Sequence, residues 1–115
     1  LVNLIASLSK QGVRHEDIVI LTPLSPKDSI ADRVGLPTVA KQPVNADGIL
    51  LASIASFKGL ESRVIIIADC TSYADFSLYY IGITRATTKL YILESDAAKR
   101  QRISLMREHL NEQRL

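Results

Sequence analysis

The run Val64-Ile65-Ile66-Ile67-Ala68 constrains the fold more than any other stretch of the chain. It is too short for a typical helix, and its β-branched side chains favour an extended backbone. An extended segment points successive side chains to opposite faces, so a run with no polar residue must be covered on both. Similar runs recur at Asp17-Ile18-Val19-Ile20-Leu21, Ile49-Leu50-Leu51-Ala52-Ser53-Ile54 and Lys89-Leu90-Tyr91-Ile92-Leu93. Helical patterns separate them. Residues 1–11 set Leu1, Leu4, Ile5 and Leu8 at helical spacing, with Gly12 as a stop. Ser25 with Asp28 opens a short helix ending near Gly35, Pro37 and Pro43 predict irregular structure, residues 75–86 form a largely apolar helix, and a last helix over 95–110 carries Ile103, Leu105, Met106 and Leu110. Short buried strands alternating with helices predict a three-layer α/β fold with a mainly parallel sheet, in which ligands bind beyond the carboxyl ends of the strands.

Length and composition narrow the function classes. With 115 residues, the chain fits one domain, and 47% hydrophobic with 23% charged residues excludes a disordered segment. A net charge of +2 permits contact with a phosphate backbone without demonstrating it. The basic residues of the tail, Lys99, Arg100, Arg102, Arg107 and Arg114, either contact nucleic acid or form the solvated face of a helix, and the solvated face is the expectation. Cys70 is the single cysteine, which excludes an intramolecular disulfide framework and a cysteine-rich zinc site. It is expected in the core, and it fits a reducing, cytoplasmic compartment. No apolar stretch approaches the roughly 20 residues that span a bilayer, so no membrane is expected. The chain opens on Leu1, from which further residues upstream are expected.

Two segments carry candidate chemistry. In Ser53–Ile67, SIASFKGLESRVIII, Gly59 sits in a polar loop between two apolar runs. A glycine there can take positive φ and bring its N–H close to a phosphate or sugar, while Lys58 adds positive charge and Glu61 can accept from ribose hydroxyls. An ordinary tight connection between strands with surface charges has the same composition. The Gly-x-x-x-x-Gly-Lys-Ser/Thr pattern of a phosphate-binding loop is absent from the sequence, so no self-sufficient ATPase is expected. In Leu78–Leu93, LYYIGITRATTKLYIL, Arg85 is a lone cation ending an apolar helix. Either it bonds the last free carbonyls of that helix, or its planar fork is aimed into a cleft to grip the γ-phosphate of a nucleotide.

These segments, in this order, resemble motifs V and VI of the UvrD/Rep family of superfamily 1 helicases. SFKGLES is similar to the family's KGLE motif and YIGITRA, Tyr80 to Ala86, to its Y-V-[GA]-x-T-R-A; EDIVILTP, Glu16 to Pro23, resembles the strand often found before motif V. The resemblance implies a single RecA-like domain over residues 1–115, a P-loop NTPase-like fold lacking its own P-loop, and the second motor domain of an ATP-dependent DNA helicase or translocase. It implies ATP with Mg2+ as cofactor, the metal ligands lying in a first RecA-like domain, and single-stranded DNA and that first domain as partners. Arg85 would be the catalytic arginine finger, and Lys58, Gly59 and Glu61 would complete the ATP site. Ser53 and Ser56 would face DNA. Departures fall on that side: relatives carry Thr-x-His-Lys where this chain has Ser53-Ile54-Ala55-Ser56, and Ser62 replaces an aromatic or larger apolar residue. His15 and His109 match nothing in the motifs and are expected at the surface. On this reading the domain alone is inactive. The alternative is a degenerate RecA-like module that binds or regulates within a DNA-repair complex without turnover.

Overall fold

The computed structural model describes residues 1–33, 38–39 and 48–113. Helix α1, Val2–Lys10, buries Ile5 and Leu8. It stops where Gly12 takes φ 87°, with the Val13 N–H donating to the Leu8 carbonyl at 3.0 Å and the Gly12 N–H to the Ser9 carbonyl at 3.1 Å. That pair of bonds satisfies carbonyls a helix end otherwise leaves orphaned. Strand β1, Ile18–Thr22, follows, every residue buried. A short 3-10 turn over Pro26–Asp28 leads to α2, Ile30–Arg33. Ser25 precedes that turn without a side-chain capping bond, whereas the Ser29 hydroxyl accepts the Ala31 N–H at 3.1 Å. Ser29 therefore performs the role expected of Ser25. The expected end of this helix at Gly35 lies outside the described residues.

Thr38–Val39 forms a short strand β2, where the sequence predicted irregular structure between two prolines. Strands β3, Ile49–Ser53, and β4, Ser62–Cys70, then flank β1. Helix α3, Phe76–Ile83, starts at Asp75, whose carboxylate accepts the Leu78 N–H at 3.3 Å. β5, Ala86–Glu94, begins three residues before the apolar run that announced it, and α4 spans Asp96–Gln113. Among the described residues all pairings are parallel, in the order β2-β3-β1-β4-β5. The chain is an α/β fold with helices on both faces of a parallel sheet. Among the described residues, no helix is long and apolar enough to cross a membrane.

Strand alternation splits the core in two. Val19, Leu21, Leu50, Ala52, Ile65 and Ile67 face α3 and α4, joined by Phe57, Cys70 and Tyr79. Ile18, Ile20, Ile49, Leu51, Val64 and Ile66 face α1 and α2. Registers such as Leu50–Val19–Ile65–Leu90 align these residues into rows across the sheet. Both faces of β1, β3 and β4 are thus apolar, which explains their near-continuous hydrophobic runs. Cys70 is 1% exposed, a small core residue as expected. His15 is half-buried in a 3-10 turn and within 3.3 Å of the Ser9 hydroxyl, so it is less exposed than anticipated. The side chains of His109 and Leu110 lie outside the described residues.

Candidate nucleotide site

The loop from β3 to β4 runs from the carboxyl end of one strand to the amino end of the next. Phe57, 3% exposed, anchors its 3-10 turn, Ala55–Phe57, in the core. The Leu60 N–H donates to the Phe57 carbonyl at 3.0 Å, closing a reversal in which Gly59 takes φ 85°. A Cβ at Gly59 would meet nothing within 4 Å. The glycine is needed for its backbone conformation, not for packing space. Lys58, Gly59, Leu60 and Glu61 are all exposed.

Arg85 arrives at the same end of the sheet from α3. The helix closes as Thr84 N–H donates to the Tyr80 carbonyl at 3.2 Å and Arg85 N–H to the Gly82 carbonyl at 3.1 Å. Gly82 lets the helix lie against β4, because a Cβ there would stand 3.1 Å from Ile67 Cδ1. The Ser62 N–H then donates to the Arg85 carbonyl at 3.0 Å, pairing the start of β4 with the residue before β5. Arg85 is half-buried as a residue. Its Nε donates to the Ile81 carbonyl at 3.1 Å, Nη2 to the Thr84 hydroxyl at 3.0 Å and Nη1 to the Leu60 carbonyl at 3.5 Å. Among the described residues, no carboxylate pairs with it.

The structure therefore brings Arg85 directly onto the loop that carries Lys58 and Gly59. Glu61 is placed differently: it lines a cavity of about 120 Å³ with Glu16, Val19, Leu50, Phe57 and Ser62, at the amino ends of β1, β3 and β4. Ser53 and Ser56 stand at the other end of the loop and bond to one another. The Ser56 hydroxyl donates to the Ser53 carbonyl at 2.9 Å, and the Ser56 N–H to the Ser53 hydroxyl at 3.2 Å. Ala55 beside them is exposed and offers no polar side chain.

Gly59 and Arg85 lie at the amino ends of β4 and β5, opposite to the end where an open parallel sheet was expected to bind. A cavity of about 400 Å³ does occupy the carboxyl end, between β1 and β4, with Leu24, Asp69, Thr71, Asp75 and Tyr79 among its walls. None of the candidate residues lines it. Three contributors at the amino end went unnoticed in the sequence: the Leu60 carbonyl, the Thr84 hydroxyl and the Ser62 N–H. Backbone groups carry no sequence signal, but a hydroxyl residue directly before the lone arginine was a legible one. Compared with known proteins, the chain matches no protein-family model and no curated sequence.

Proposed function

We propose that this chain is the arginine-bearing half of an ATP-driven motor, the second RecA-like domain of a UvrD/Rep-type DNA helicase or translocase. The contact between the Arg85 guanidinium and the Lys58–Glu61 loop carries the reading. A phosphate-contacting glycine loop and a cation for the γ-phosphate have to converge on one ligand, and the two motif-like segments, 25 positions apart at this contact, meet at the amino ends of β4 and β5. The guanidinium has five N–H donors and spends three on the described residues, leaving one on each terminal nitrogen. That remaining pair suits an end-on grip of two phosphoryl oxygens by the two terminal nitrogens. The P-loop, Mg2+ and its carboxylates would come from a first RecA-like domain, and closure of the two domains around ATP would step the motor along single-stranded DNA. Glu61, lining a small cavity shared with Glu16, supports a ribose contact less directly than Arg85 and Gly59 support phosphate contacts.

The deciding experiment is Arg85→Ala in this chain joined to its P-loop domain, assayed for ATP hydrolysis with single-stranded DNA. An arginine finger is worth roughly 10³- to 10⁵-fold in turnover, and a loss of that order with the fold intact is expected. Turnover near the unmutated level rejects the assignment. One observation favours the second reading, a module without turnover: all three bonds of Arg85 go to its own helix end and neighbouring loop, as a structural helix-ending arginine would make. No ATP hydrolysis by the unmutated joined protein, together with partner binding that Arg85→Ala abolishes, would establish that module.

A further inference from the structure

The geometry points to Thr84 as a positioning residue that holds Arg85 as a two-pronged grip for an oxyanion, an inference that rests on the nucleotide reading above. The Thr84 hydroxyl has one proton, and it spends it on the Ile81 carbonyl at 3.0 Å. Only its lone pairs then remain for the guanidinium, and Nη2 donates into them at 3.0 Å. The orientation of the hydroxyl is therefore set by the helix end, and the arginine plane is set by the hydroxyl. Nε shares the same Ile81 carbonyl at 3.1 Å, which fixes the inner edge of the plane. Ser62 holds the backbone beneath: its N–H donates to the Arg85 carbonyl at 3.0 Å, while its hydroxyl donates to the Asp17 carbonyl at 3.0 Å. Without Thr84, the terminal nitrogens would rotate about the last torsions of a long side chain, and binding an anion would have to freeze them.

The test uses this chain joined to its P-loop domain, inorganic tripolyphosphate as the probe and the Arg85 Nη2–Hη2 resonance as the readout. Thr84→Val removes the hydroxyl at nearly constant shape, and Thr84→Ser keeps it. Loss of one hydrogen bond of about 1 kcal/mol corresponds to about fivefold, so Thr84→Val is expected to speed Hη2 exchange and raise the tripolyphosphate midpoint by about that factor. Thr84→Ser should restore both, which a packing role for the methyl group would not require. Backbone amide spectra confirm that each variant keeps its fold; Thr84 is exposed, so its loss leaves the core untouched. If tripolyphosphate shifts the resonance equally in the unmutated chain and in Thr84→Val, and exchange is unchanged, the positioning role is overturned while the nucleotide reading stands. If tripolyphosphate leaves the resonance of the unmutated chain unmoved, the nucleotide reading fails, and the grip with it.

Discussion

The Ser29 hydroxyl donates to the Asp69 carboxylate at 2.6 Å, across 40 positions of the chain. The same carboxylate accepts the Thr22 hydroxyl at 2.8 Å and the Ile30 N–H at 3.0 Å, so one side chain ties the end of β1 and the start of α2 to the end of β4. Asp69 does this with φ 59°, in the left-handed region, where the registers Ile67–Ile92 and Cys70–Glu94 show an extra residue bulging from β4. A bulge re-aims a side chain that would otherwise point into a layer of the core.

Thr22 and Ser29 are both fully buried, so Asp69→Ala leaves two hydroxyl protons without their acceptor. Each unsatisfied buried group costs about 1–3 kcal/mol, and the two losses, sharing one partner, are not additive. Asp69→Asn, which tolerates left-handed φ and keeps an acceptor oxygen, should cost clearly less. Urea denaturation of the three proteins measures the order, and an alanine variant as stable as the asparagine one contradicts this role.

Glu94 links β5 to α4 and to the segment after β4. Arg102 donates to it from Nη2 at 2.8 Å and from Nε at 3.1 Å, and the Tyr73 hydroxyl donates at 2.6 Å. The Arg102 bonds, then that of Tyr73, hold the Glu94 carboxyl below its ordinary value of 4.5. Burial, and then the bond to Glu94, push the Tyr73 phenol above its ordinary range, so it remains a donor. A carboxyl depressed by folding contributes stability that is present above its unfolded value and disappears as pH falls through its folded value. Melting temperature is therefore expected to drop on acidification below the ordinary carboxylate range, with a shallower slope in Glu94→Gln. Equal slopes for the two proteins in that window would show that this pair contributes nothing to acid sensitivity.

Gly59→Ala isolates a backbone cost, since the added methyl meets nothing within 4 Å. Placing a Cβ residue at φ 85° costs about 1–2 kcal/mol. In a domain of this size, 1 kcal/mol moves the melting temperature by about 4 °C. Gly59→Asn should recover part of the loss, because asparagine visits this region more readily. Calorimetry on both variants checks the ranking.

Gly82 is the opposite case, a helical glycine whose constraint is space. Alanine gains roughly 0.8–1.0 kcal/mol of helix propensity but brings its Cβ to 3.1 Å from Ile67 Cδ1, the terminal methyl of a fully buried side chain. The two effects nearly cancel for Gly82→Ala. Gly82→Val adds two more carbons against β4, and overpacking of about 1–3 kcal/mol is expected. Chemical denaturation showing valine as stable as glycine would mean that α3 can lift from the sheet freely.

Arg85→Ala should separate stability from activity. Its hydrogen bonds lie at the half-buried surface beyond α3, so the isolated chain is expected to lose no more than about 1–2 kcal/mol, one or two ordinary bonds. The melting curve of the variant, set beside the ATPase assay proposed above, tests that separation.

The fold class was legible because burial on both faces of a strand leaves a signature in consecutive residues: Ile65-Ile66-Ile67 alternate between two cores and none can be polar. Gly12 and Gly59 were legible for a similar reason, since positive φ at a turn selects glycine locally. Thr38–Val39 left no such mark, because two residues are too few for a pattern and their pairing with Ile49 and Leu50 is supplied by the neighbouring strand. The exchange of Ser25 for Ser29 has the same origin: a capping hydroxyl is chosen by what lies opposite, here Asp69, which sits far away in sequence. The candidate site divides along this line. Local chemistry singled out Gly59 and Arg85, whereas their meeting at the amino ends of β4 and β5, the separate cavity of Glu61, and the hold of Thr84 on the guanidinium were decided by the tertiary structure. A hydrogen bond depends on where two segments arrive in space, and only the packed sheet fixes that.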